Sequence, residues 1–115
     1  MEESDDTGDA ETASSNPCKG WESDPDSMAI RIAKTCASDC LKWPSTVAVL
    51  TIDKTSPVGV NFDNGEKIVV EWDRSAKTAT ATWVKGDATR GGASFTYTCT
   101  SSGELDLSMT GCSVF

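Results

Sequence analysis

The chain has 115 residues, five cysteines, no histidine and a formal net charge of −8. A chain of this length forms one small domain, which buries a modest share of its surface and is commonly braced by covalent links. The missing histidine removes Ser-His and Cys-His nucleophilic schemes. No apolar run is long enough to span a membrane, and Lys and Arg are not clustered as a phosphate backbone requires.

The charge is uneven. Glu2, Glu3, Asp5, Asp6, Asp9 and Glu11 all precede the first basic residue, Lys19, so the remainder is nearly neutral. Residues 1–17 are acidic, rich in Ser, Thr and Gly, and too poor in apolar side chains to offset their ordering entropy. They read as a disordered acidic arm, and residues 18–115 as a single domain. The start carries no apolar signal segment, so the sequence is expected to be a mature form with Met1 added for expression.

Residues 18–26 read as an irregular stretch pinned by Cys18 and Trp21, with Asp26 or Ser27 as an N-cap. From Met28, the apolar positions Met28, Ile32, Cys36 and Cys40 recur every four residues, which predicts an amphipathic helix ending before Trp43-Pro44. The period then changes to two. Residues 46–52 are a nearly continuous apolar run suited to a central strand. Residues 58–62 and 66–72 flank Asn64-Gly65, read as a two-residue hairpin turn. Residues 77–84 follow a turn at 73–76, residues 85–92 read as a flexible exposed loop, and residues 94–100 and 104–110 flank a three-residue loop with Gly103 left-handed.

These signals predict an α+β fold, with one amphipathic helix packed on an antiparallel β-meander of five to six strands. Trp72 opposite Lys77 puts Ile68, Val70, Trp72, Ala79, Ala81 and Trp83 on one face, and Cys99 opposite Leu105 does the same for Phe95, Tyr97, Leu107 and Met109. Lys67, Glu71 and the Thr-rich positions fall on the other face. One conflict remains: the two-residue turn sets Val60 and Phe62 on that polar face, which calls for a bulge or a covered outer surface.

The cysteines (Cys18, Cys36, Cys40, Cys99 and Cys112) are dispersed and lack zinc-ligand spacing, so they indicate disulfides and a secreted, extracellular protein. A bridge from Cys36 or Cys40 to inward-facing Cys99 is expected. The other helical cysteine then pairs with Cys18 or Cys112, leaving one thiol over. A bond between Cys36 and Cys40 is disfavoured by strain. No Asn-x-Ser/Thr acceptor supports secretion independently.

Carboxylate pairs such as Asp24 with Asp26 or Asp63 with Glu66 fit turn and capping chemistry better than acid–base catalysis. Gly86, Gly91 and Gly92 lack the sequence of a phosphate loop. The expected function is therefore non-enzymatic and cofactor-free: a secreted, monomeric binding or inhibitory protein whose acidic arm is a candidate contact for a basic surface on a protein target. Lys85, Asp87 and Arg90 in the 85–92 loop are further contact candidates. The odd cysteine leaves a disulfide-linked dimer open, and neither nucleic acid nor membrane is an expected partner. An acidic leader before a small cysteine-linked domain is similar in layout to secreted effector and inhibitor proteins of blood-feeding parasites and plant pathogens. A helix followed by an antiparallel meander also resembles the cystatin plan, although the QxVxG signature is absent and Ser56-Pro57-Val58-Gly59 matches little of it. Two alternatives are a small-molecule or glycan site lined by Trp21, Trp43, Tyr97 and Phe62, and an ice-binding face of Thr78, Thr80, Thr82, Thr96, Thr98 and Thr100.

Overall fold

In the computed structural model, residues 17–115 are described. Six strands cross a single antiparallel sheet in chain order: β1 (Val49–Asp53), β2 (Val58–Phe62), β3 (Lys67–Asp73), β4 (Thr78–Lys85), β5 (Ala88–Cys99) and β6 (Leu105–Val114). They are preceded by a helical turn, α1 (Lys19–Glu22), and by α2 (Pro25–Thr35), which runs on through a π-helical turn at Cys36–Cys40. The result is an α+β fold with a six-stranded meander, one continuous helix of 16 residues and two disulfides.

The helix begins earlier than its apolar repeat suggests. Asp24, rather than Asp26 or Ser27, is the N-cap; its carboxylate accepts from the Ser27 N–H at 3.3 Å and the Ser27 hydroxyl at 2.8 Å. Pro25 then occupies the first turn, where its missing N–H would have had no helical partner. At the far end Lys42 is left-handed (φ 59°), and the Trp43 N–H reaches back to the Ala37 carbonyl at 2.9 Å, which stops the helix short of Pro44. Met28, Ala29, Ile32, Ala33, Cys36, Ala37 and Cys40 are buried, and α2 contacts β2, β3 and β4. Full burial of Met28 or Ile32 contributes about 1.5–3 kcal/mol each.

The conflict at the β2–β3 turn is resolved by its length. Phe62 and Glu66 pair through the Phe62 N–H at 2.9 Å, so Asp63-Asn64-Gly65 form a three-residue loop with Gly65 left-handed (φ 83°). Val60 then faces Ile68 and Val58 faces Val70, all on the buried side. No bulge or outer cover is needed there. The β3–β4 register is displaced by two residues from the sequence expectation, with Trp72 opposite Ala79, because the turn uses Arg74–Lys77 and puts Lys77 left-handed (φ 55°). A shift of two preserves the face, so the same six side chains still point inward. The expected β5–β6 register is observed: Cys99 faces Leu105, Tyr97 faces Leu107 and Phe95 faces Met109.

Two segments depart further from expectation. Residues 49–53 form an edge strand, because every strand pairs only with its chain neighbours and, among the described residues, no strand lies beyond β1. An irregularity between Val49 and Thr51 turns Leu50 outward, where it is 66% exposed. The 85–92 segment is a tight hairpin instead of a flexible loop: Lys85 faces Ala88 across Gly86-Asp87, and Gly91 and Gly92 lie within β5. A Cβ on Gly92 would sit 2.6 Å from the Ala81 carbonyl oxygen, so close strand approach accounts for that glycine.

The disulfides are Cys18–Cys99 and Cys40–Cys112. Cys99 is thus bridged to Cys18 at the start of α1, a helical turn where the sequence suggested an irregular stretch, and not to α2. The wide final turn of the helix directs Cys40 to β6, and Cys36 is left as the free thiol. Cys36 is fully buried, and burial pushes its thiol pKa up to about 11, so it has no surface from which to bridge a second chain. Non-reducing peptide mapping should return these two bridges, with Cys36 labelled only after unfolding. A Cys36–Cys40 bridge, or labelling of the native protein, would contradict the arrangement.

Candidate binding groove

A concavity of about 960 Å³ opens where β3 outruns β2. β2 starts at Val58, opposite Val70, so Glu71, Trp72 and Asp73 have no strand beside them on that side. The chain turns away through residues 54–57, held by the Thr55 N–H to the Asp53 carbonyl and the Thr55 hydroxyl to the Pro57 carbonyl, both at 2.8 Å. Across the gap stands the α1–α2 junction, Ser23 to Asp26.

Ladder alternation fixes what the open ledge presents. The Phe62–Glu66 hydrogen bond sets the main-chain groups of Glu66, and of every second residue after it, toward β2. Ile68 and Val70 meet Val60 and Val58 in this way. Trp72 is next in the series and has no residue opposite. Its N–H and C=O face the groove, and among the described residues neither these groups nor its indole N–H makes a hydrogen bond. By contrast, the indoles of Trp21 and Trp83 donate to the Gly103 carbonyl and the Glu66 carboxylate, each at 2.9 Å.

The walls are charged and mostly engaged. Asp26 pairs with Lys54 at 3.1 Å across one end of the groove. Asp24 caps the helix, and Asp73 accepts from the Ser75 and Ala76 N–H groups at 2.9 and 3.1 Å. Arg74 donates to the Glu22 carbonyl at 2.9 Å, fastening the end of α1, just before the Ser23–Asp26 wall, to the β3–β4 turn. Glu71 is exposed and makes no ion pair among the described residues. Four carboxylates and two cations line the site, which is therefore net acidic.

The residues singled out in the sequence are distributed differently. The acidic residues from Glu2 to Glu11 lie outside the described residues. Lys85 and Arg90 sit at the other end of β4, where Lys85 pairs with Glu66 at 3.3 Å and Arg90 stands 5.4 Å from the Trp83 ring centroid; Asp87 is exposed at the hairpin tip. The Trp83 indole, ahead of Lys85, holds the Glu66 carboxyl below its usual pKa. Trp21, Trp43, Tyr97 and Phe62 do not form one site: Trp43 stacks edge-on to Phe62 and Trp83, whereas Tyr97 is buried against Glu22. Asp63 accepts from the Ala48 N–H at 3.0 Å and Glu66 from the Trp83 indole at 2.9 Å, so these two carboxylates are engaged separately. The Thr rows are also staggered; Thr78 faces Thr96, but Thr80 faces Ser94 and Thr82 faces Gly92.

Periodicity alone puts Trp72 in the core and Glu71 on the solvated face, and gives Lys54 and Arg74 no role. The signal was available in strand lengths. Once the β2–β3 loop is counted as three residues, Trp72 falls opposite Ser56, which precedes a proline and no longer belongs to the strand. No protein-family model, curated protein or solved structure matches this chain.

Proposed function

We propose that this is a secreted, non-enzymatic binding protein that engages a protein target through the groove beside Trp72. The observation that carries this reading is the unpaired main chain and indole N–H of Trp72 in the wall of a net-acidic cleft. Groups left without partners at a strand edge are ready recognition elements. Two disulfides, one amphipathic helix packed on the sheet and the Arg74–Glu22 tie make the cleft rigid, which lowers the ordering cost of binding. The disulfides also fit an oxidising, extracellular setting. The acidic arm supplies long-range attraction to the same basic target.

Selection of random linear peptides against the immobilised protein is expected to enrich binders that protect groove residues in amide exchange. Deleting residues 1–17 should weaken binding of a basic target and flatten its salt dependence. Absence of any enriched peptide, or protection confined to other surfaces, would overturn the groove as the binding site.

A further inference from the structure

We infer that the groove takes an extended peptide as an added strand beside β3, in line with β2, with a basic residue opposite Glu71. This rests on the groove being the binding site and specifies what occupies it. Trp72 offers one donor and one acceptor in strand geometry, the spacing that a strand adds to when it joins a sheet edge. The space is vacant because the chain leaves the β2 line at Val58. A peptide residue opposite Trp72 exchanges both main-chain hydrogen bonds with it and directs its side chain between Pro57 and the helix junction, where an apolar group fits. Its neighbour in sequence projects to the other face, beside Glu71. That carboxylate has no ion partner among the described residues, whereas Asp26 and Asp73 are occupied by Lys54 and by backbone N–H groups. Opposite charges across neighbouring strands stabilise pairing, and like charges oppose it. The ligand is therefore an extended segment alternating basic and apolar residues.

The probe is the capped pentapeptide Thr-Lys-Val-Lys-Thr, together with a version N-methylated on its valine and a version with Glu for both lysines. The native disulfide-linked protein is used, with binding read by amide shifts and by exchange of the Trp72 N–H. The parent peptide is expected to slow Trp72 exchange. N-methylation removes one strand hydrogen bond and should weaken binding about tenfold. Glu71→Lys lies on an exposed position and should weaken the lysine peptide about threefold to fivefold while improving the glutamate peptide. Groove shifts that ignore N-methylation and leave Trp72 exchange unchanged would overturn strand addition but leave the groove as the binding site. No groove shifts with any peptide, including those from random selection, would remove both.

Discussion

Replacing both members of the Cys18–Cys99 bridge with alanine is expected to lower the unfolding free energy by about 4 kcal/mol. The loop it closes spans 81 residues, and loops of that length give about 4–5 kcal/mol in the chain-entropy account. Small domains hold only about 5–15 kcal/mol in total, so most of the margin is at stake. The Cys40–Cys112 bridge closes 72 residues and carries a similar entropic weight. The two variants should nevertheless differ in function. Cys18 anchors α1, whose Glu22 carbonyl is held by Arg74 and which leads directly into Ser23–Asp26, one wall of the groove. Its loss should loosen that wall and weaken peptide binding before the sheet unfolds. Removal of Cys40–Cys112 instead frees the end of the helix from edge strand β6. Urea unfolding of both double variants, with peptide binding measured below the transition, tests this. Stabilities within about 1 kcal/mol of the parent would show that the bridges add little.

In the sheet, local sequence signals suffice at one loop and compete at another. Residues 62–66 and 100–104 adopt the same device: a three-residue loop with glycine left-handed at its third position and a hydrogen bond closing the flanking pair at 2.9 Å. In the second loop Gly103 stands alone after two serines, and spacing led directly to the observed register. In the first, Asn64-Gly65 is also the strongest two-residue turn signal, and that local preference concealed the longer loop. Burial decided the outcome. A two-residue turn would have put Val60 and Phe62 in water, whereas both are almost fully buried in the observed register. The disulfide pattern was hidden for a different reason. Strand alternation points Cys99 inward, but which cysteine meets it depends on how the chain before the helix folds back, and nothing periodic encodes that. The groove was illegible for the same reason, since it arises where two strands of unequal length meet a turn.

The second large effect is expected at Glu22, a carboxylate only 4% exposed, which accepts from the Tyr97 hydroxyl and the Lys77 ammonium, both at 2.7 Å. Glu22→Ala strands the Tyr97 hydroxyl in the core and removes the partner of Lys77. Breaking a buried pair costs about 3–5 kcal/mol, and partial solvation of Lys77 places the expected loss near the lower figure, about 3 kcal/mol. Tyr97→Phe should cost less, about 1 kcal/mol, and the double variant should cost less than the sum. The same contact predicts a pH limit. Burial first, then the Glu22 hydrogen bond and charge, raise the Tyr97 pKa well above its ordinary value. The folded state thus holds the phenolic proton more tightly than the unfolded chain. Its contribution is complete below about pH 10, where a free tyrosine titrates, and declines as pH rises beyond that. Tyr97 is the only tyrosine, so phenolate absorbance reports it alone. That signal should appear together with loss of folded circular dichroism, and Tyr97→Phe should flatten the alkaline decline. Cys36, with its thiol raised to about 11, adds a parallel contribution that Cys36→Ala removes. Phenolate forming near pH 10 in a chain that stays folded would show that Tyr97 does not depend on Glu22.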